Sequence, residues 1–186
     1  MAIVVVGGQT KGVGKTSVVV GLIAALRERR WTAYKISLAR SGEDCAGVEI
    51  REELDKNTET DSARYLAAGA VRSFWAKARW ENLAEVMARI LPELEAAENA
   101  VIESNSVLEF LRPDVYLSVL DPSVGDFKGS AREFLHRADA VLVPEESLGR
   151  IAVDAPAFAV RPPDYVTAEV VEFVRRKLGE GRENRE

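Results

Sequence analysis

Ala2-Ile-Val-Val-Val-Gly-Gly-Gln-Thr-Lys-Gly-Val-Gly-Lys-Thr16 joins a β-branched run to a glycine-rich loop and delivers the chain into a helix-length segment. Ala2 to Val6 shows no polar alternation, so it predicts a parallel strand buried on both faces. Lys15 to Arg29 is apolar almost all round and closes on Arg27, Arg29 and Arg30, where cations suit a helix C-terminus. A loop between such a strand and helix grips phosphates when three parts are present. Glycines let backbone N–H groups close around the anion, a lysine reaches the β and γ phosphates, and a serine or threonine holds Mg²⁺. Gly12, Gly14, Lys15 and Thr16 supply those parts, with Lys11, Val13 and Ser17 inside the same turn. The strict G-x-x-x-x-G-K-[ST] spacing puts Gln9 where its first glycine belongs; Gly8 serves if the loop is one residue longer.

Working outward, Thr32 to Ser37 predicts a second strand, and the polar stretch from Leu38 to Asn57 a long loop or partly ordered insertion. Thr58-Glu-Thr-Asp61 predicts a helix start, with the helix ending near Gly69, and Ala70 to Trp75 a third strand. Leu83, Val86, Met87, Ile90, Leu91 and Leu94 fall at helical spacing, with Asn82 and Glu85 as a capping box and Pro92 as an expected kink. Ala100 to Glu103, Asp114 to Leu120, Ala138 to Val143 and Ala157 to Val160 read as further strands, before a helix from about Asp164 to Leu178. Strands alternating with helices of this length predict an α/β fold, a three-layer α/β/α arrangement on a mostly parallel sheet. Together with the glycine loop, this leads to the expectation of the P-loop containing nucleoside triphosphate hydrolase fold. One domain is expected over residues 1–178, with a loose charged tail over 179–186.

Composition narrows the function. Of 186 residues, 47% are hydrophobic and 30% charged, enough apolar material for a core and against disorder as the overall class. A net charge of −5 supplies no general positive field, so no nucleic-acid partner is expected. The single cysteine, Cys45, and single histidine, His136, cannot build a zinc site. The apolar run Val18 to Leu26 is half a membrane span, and no charged region precedes an apolar stretch at the N-terminus, so no membrane partner and a cytoplasmic location are expected.

The gapped loop Gly8-Gln-Thr-Lys-Gly-Val-Gly-Lys-Thr16 resembles that of SIMIBI-class P-loop proteins, dethiobiotin synthetases especially. Those proteins also carry Tyr-Lys at the end of strand two, where Tyr34-Lys35-Ile36-Ser37 stands here. The resemblance implies a phosphate or substrate contact for Lys35. Asp61-Ser-Ala-Arg-Tyr-Leu-Ala-Ala-Gly-Ala70 is similar to a segment of another SIMIBI family, the molybdopterin-guanine dinucleotide biosynthesis adaptor B family. That likeness implies an accessory nucleotide-binding protein helping a partner enzyme in molybdenum cofactor biosynthesis. The first implies an ATP-dependent ligase acting on a small carboxylate or carbamate in the 38–57 region. In the dimerising ParA/MinD branch a lysine sits five residues before the P-loop lysine; that position is Thr10 here, with Lys11 one step later. A homodimer stays open.

Mg²⁺ on a nucleotide takes few protein oxygens, so Thr16 needs one or two carboxylates beside it. Glu103 leads, because it ends a predicted central strand at the sheet edge where α/β ligands sit, followed by Ser104-Asn105-Ser106. SIMIBI relatives place a glutamate there in the Walker B role. Asp61 is the second candidate, either as a metal contact or only as a first-turn acid favoured by the helix dipole. The expected chemistry is binding of ATP or GTP with Mg²⁺, with Lys15, Lys35 and Glu103 acting on the γ-phosphoryl group. Past Ala138 to Val143, Glu145 could accept hydrogen bonds from a base, or be an exposed loop acid. Lys128 or Arg132 could meet an anion, and Ser130 could instead be a helix cap. Trp31, Trp75 and Trp80 read as packing rather than a base-stacking platform.

Overall fold

The computed structural model describes residues 1–39, 42, 43, 45 and 47–183, the last four of these by backbone alone. In chain order the elements are β1 (Ala2–Gly8), α1 (Lys15–Ala25), β2 (Trp31–Leu38), β3 (Glu49–Glu53), α2 (Asp61–Ala68), β4 (Arg72–Ala78) and α3 (Leu83–Ala96). They continue with β5 (Asn99–Glu103), β6 (Val115–Val119), α4 (Gly129–Phe134), β7 (Ala140–Pro144), β8 (Ala157–Val160) and α5 (Ala168–Glu183). The eight strands form one sheet in the order β3-β4-β2-β5-β1-β6-β7-β8. Every pairing is parallel except β3 on β4.

The apolar run at the N-terminus lands at the centre of this sheet, between β5 and β6, with Val4, Val5 and Val6 fully buried. Strand alternation then splits the core in two. Val4 and Val6 pack with Val18, Val19, Leu22 and Ile23 of α1, Tyr65 of α2, and Val170 and Phe173 of α5. Val5 and Ile102 face the other way, onto Val86, Met87, Ile90 and Leu94 of α3 and Phe134 of α4. The sandwich is therefore helix, sheet, helix, as the alternation of elements predicts. Trp31 is core: its indole N–H donates to the Leu26 carbonyl at 2.9 Å, tying the end of α1 to the start of β2.

Three local expectations change. The 38–57 stretch contains a strand, β3, whose sequence Glu-Ile-Arg-Glu-Glu carries one apolar residue and so lacks an alternating signal. An edge position tolerates that charge, and discourages further strand addition. Thr60 caps α2 by accepting from the Ala63 N–H at 3.1 Å, and Gly69 closes it at φ 114°, but Asn82 makes no side-chain cap on α3. Pro92 lies within α3, which runs on past it. Finally, α5 begins at Ala168 and continues beyond Gly179 to Glu183. No helix among the described residues is long and apolar enough to cross a membrane.

Candidate functional site

The loop between β1 and α1 is held by its own backbone and by two amides. Gln9, at the position that breaks the usual spacing, is buried and turned away from the loop interior. Its side chain donates to the Val124 and Asp126 carbonyls at 2.6 and 3.0 Å and accepts from the Asp121 N–H at 3.0 Å. Asn105, just past β5, accepts from the Gly8 N–H at 2.8 Å and donates to the Gly8 carbonyl at 2.9 Å. That grip needs Gly7 beside it, since a Cβ there would lie 2.1 Å from Asn105 Oδ1.

Gly12 (φ 82°) and Gly14 (φ 111°) occupy left-handed backbone, and Gly14 is the N-cap of α1 with no side chain capping the helix. The first-turn N–H groups of α1 are thus anion donors reinforced by the helix dipole. A Cβ on Gly14 would lie 2.0 Å from the Tyr165 ring as well as being strained at that φ. Gly14→Ala should therefore distort the loop and weaken an anion bound at the first turn of α1 by about tenfold or more, about 1.4 kcal/mol. Equilibrium binding checks this, and an affinity equal to wild type would show that the loop shape is not what binds.

Glu103 is the hub. Its side chain is 1% exposed, yet it carries three partners from three elements. Thr16 Oγ1 of α1 donates to Oε2 at 2.7 Å, Tyr65 OH of α2 donates to the same oxygen, and Lys35 Nζ of β2 donates to Oε1. Lys35 is placed by register, directly across from Glu103 on the neighbouring strand, and also meets Asp61 Oδ2 at 3.1 Å. An ammonium thus bridges the two carboxylates that the sequence singles out. Burial pushes the Tyr65 hydroxyl well above its ordinary pKa, with the Glu103 charge adding to it, so Tyr65 stays a donor. Tyr65→Phe should cost about 1.5–3 kcal/mol, the range for a hydrogen bond to a charged acceptor, measured by urea unfolding. No change in midpoint would show that this contact contributes nothing.

These groups open on a cleft of about 810 Å³ at the C-terminal edge of the sheet. Lys11, Lys15, Lys35, Arg64, Lys77 and Lys128 line it. Against them stand three carboxylates, Glu43, Asp61 and Glu103, so the cleft is net positive in a chain of net charge −5. Lys15 Nζ donates to the Thr10 carbonyl at 2.6 Å. Burial lowers its pKa from 10.5 to about 8; the Lys128 and Lys35 charges push the same way, and Glu103 and Asp61 oppose them. An ammonium in that position is short of negative charge, which a phosphate chain supplies.

Gly12, Gly14, Thr16 and Ser17 line the same cleft, while Gly8 and Val13 support the loop from behind. Lys128 lines it from the N-cap position of α4; Ser130 also lines the cleft but lies inside the helix, one residue after its start, rather than capping it. Arg132 instead lies over the Phe127 ring at 5.5 Å. Glu145 is exposed, paired with the Arg161 guanidinium at 2.6 and 2.7 Å, and does not line the cleft. Tyr65 and Gln9 carry more of the site than sequence reading gave them. A helix tyrosine among alanines reads as core, and a glutamine reads as solvated.

The donors fit Mg²⁺. Thr16 Oγ1 and Glu103 Oε2 are hard oxygens 2.7 Å apart, and Asp61 reaches the same ammonium as Glu103. No cluster of three or more His, Cys, Asp or Glu suited to a metal occurs among the described residues. A metal carried in with phosphates does not require such a cage.

No family model matches the chain, and no curated protein matches it. Among solved structures it is similar to LpxK from Aquifex aeolicus, solved in complex with ATP, at 20% identity and a TM-score of 0.50. That likeness covers 86% of this chain and 53% of LpxK, so the chain spans about half of LpxK's length. It is also similar to HypB from Helicobacter pylori, solved in complex with nickel, at 16% identity and a TM-score of 0.50, covering 98% of this chain and 88% of HypB. At these identities the likeness is one of architecture alone: the chain has a P-loop NTPase fold.

Proposed function

We propose that the chain binds a nucleoside triphosphate, ATP or GTP, together with Mg²⁺ and catalyses displacement at its γ-phosphorus. The observation that carries this is the convergence of Lys15, Thr16 and Glu103 on one net-positive cleft at the first turn of α1. The N–H groups from Gly12 to Thr16 surround the phosphates, and Lys15 leaves the Thr10 carbonyl to reach the terminal ones. Thr16 and Glu103, with Asp61 beside them, would hold the metal, which would supply positive charge against the phosphates. Lys35, displaced from between the carboxylates, turns toward the γ-phosphate. Hydrolysis forms a bond from a water oxygen to the γ-phosphorus as the bond to the β–γ bridging oxygen breaks, leaving the nucleoside diphosphate and inorganic phosphate, with the water's proton released to phosphate or solvent. The protein's contribution is position and charge.

The finer reading is an accessory protein like the molybdopterin-guanine dinucleotide adaptor, serving a partner enzyme; the Asp61–Ala70 segment supports it, since Asp61 and Tyr65 both reach the Glu103 hub. A dethiobiotin synthetase-like ligase is favoured by one observation, the part of the cleft past Lys35 lined by Ser37, Trp75 and Lys77, which a triphosphate does not need. Turnover stimulated by a protein supports the first, and turnover that needs a small molecule supports the second.

Melting curves with ATP, GTP and CTP, each with and without Mg²⁺, test the proposal. At a ligand concentration a hundredfold above Kd, binding adds about 2.7 kcal/mol, or roughly 5–10 °C for a domain of this size. At least one triphosphate should produce that rise, larger with metal. No rise with any of them would defeat the proposal.

A further inference from the structure

The cleft receives lysines from both flanks of the glycine loop. β1 lies between β5 and β6, with β2 beyond β5, so Lys35 arrives from the β2 side and Lys128 from the segment that follows β6. Lys35 is taken up by Glu103 and Asp61, and Lys77 by Glu43, which accounts for all three carboxylates of the lining. From the β6 side, Lys128 and Ser130 line the cleft, and no acid does so among the described residues. The acids of that segment face elsewhere. The Asp121 carboxylate accepts from the N–H and hydroxyl of Ser123 at 2.9 and 2.6 Å, and Asp126 Oδ2 accepts from the Thr10 hydroxyl at 2.5 Å.

The segment that carries Lys128 is fastened to the glycine loop itself. The Lys128 N–H donates to the Gln9 carbonyl at 3.0 Å, and the Gln9 side chain holds the backbone of Asp121, Val124 and Asp126. A glycine at position 9 has no side chain to make those bonds, so the departure from the usual spacing is what ties the two segments together. Thr10 adds the bond to Asp126, while its carbonyl receives Lys15 Nζ at 2.6 Å. Residue 128 is thus placed by the residues next to the phosphate-gripping turn, and its exposed side chain lines the cleft. Burial is the largest cause of the lowered Lys15 pKa; Glu103 opposes it, and the Lys128 charge adds to it ahead of the Lys35 charge. Two ammonium groups held near each other by backbone bonds repel, and an anion between them relieves the repulsion.

We infer that Lys128 is a further phosphate-binding residue of this cleft, contacting the phosphate chain from the flank opposite Lys35, and that Thr10, through Asp126, is a positioning residue for it. This deepens the nucleotide reading of the cleft and rests on it.

The test is calorimetric titration of the full chain with a non-hydrolysable ATP or GTP analogue and with inorganic tripolyphosphate, each with Mg²⁺. Lys128→Met should weaken both probes about tenfold, the loss of one charge-assisted contact. Arg132→Met removes the same charge from the same segment, but Arg132 lies over the Phe127 ring, so it should change affinity by less than about twofold. Lys128→Arg keeps the charge and should recover most of the affinity. Melting curves check that each variant is folded, as expected for exposed positions. Thr10→Val removes the hydroxyl bond to Asp126 without changing charge. It should weaken binding about threefold in the wild-type background and cause no further loss in Lys128→Met, the non-additivity of residues that act together. Equal effects of Lys128→Met and Arg132→Met overturn the role of Lys128, and additive losses from Thr10→Val and Lys128→Met overturn the positioning. If wild type binds neither probe, the nucleotide reading fails and takes Lys128 with it. If wild type binds and Lys15→Ala weakens binding while Lys128→Met does not, only this inference fails.

Discussion

Lys15→Ala should lower affinity for the triphosphate by at least about a hundredfold, about 2.8 kcal/mol, while the protein stays folded. On the proposed function the loss is large because Lys15 would make charge-assisted hydrogen bonds to the phosphates. The fold survives because the ammonium contributes little to it. Lys15 makes one hydrogen bond, to the Thr10 carbonyl, and burial makes its charge a liability. The sign follows from its pKa, lowered from 10.5 to about 8. Between those values the unfolded chain binds more protons than the folded one, so wild-type stability from this group rises with pH. Below pH 8 both states are charged and the cost of the buried ammonium is fully present. The alanine variant escapes that cost, so its melting temperature relative to wild type should be highest below pH 8 and should fall as pH approaches 10.5. Melts across this range check the stability, and calorimetric titration with nucleotide checks the affinity. Unchanged affinity would remove Lys15 from the phosphate site.

Glu103→Gln should destabilise the protein by about 3 kcal/mol, because it leaves the Lys35 ammonium without its buried partner. Glu103 is 1% exposed and the Lys35 side chain 17%, so neither is rescued by water. Lys35→Met should cost a similar amount for the opposite reason, since the Glu103 charge then keeps only the Thr16 and Tyr65 hydrogen bonds. The double variant removes both charges and should be less destabilised than the sum of the singles by about 2 kcal/mol, a coupling typical of contacting residues. Urea unfolding of the four proteins gives the cycle. Nucleotide binding separates the roles. Glu103→Gln should lose most of the enhancement that Mg²⁺ gives, about tenfold or more, whereas Lys35→Met should keep it. Additive unfolding energies would show that the bridge is not a coupled pair, and an unaltered metal dependence in Glu103→Gln would take the carboxylate off the metal.

What the sequence made legible were the parts whose residue type is forced by backbone geometry. Glycines at Gly12 and Gly14 announce left-handed backbone before a helix, and an acid ending Ala100-Val-Ile-Glu103 announces a strand end at the ligand edge. The second carboxylate, Asp61, was legible only as one of two readings, because the residue that opens a helix looks the same whether it also faces a ligand. Contacts made by side chains distant in sequence left no trace. Asn105 clamps Gly8 across 97 residues, and Tyr65 reaches Glu103 across 38. Gln9 looked like a defect in the loop pattern and is a strut to the 121–126 segment. Strand β3 was hidden because its charges suit an edge.

The most direct measurement of the central claim is equilibrium calorimetry of the wild-type chain with a non-hydrolysable ATP or GTP analogue and Mg²⁺. One saturable site per chain for at least one analogue, weakened when Mg²⁺ is omitted and weakened at least about a hundredfold by Lys15→Ala, is the result expected. Absence of saturable binding by both analogues, or binding indifferent to both the metal and Lys15, would contradict the assignment of this cleft to a triphosphate.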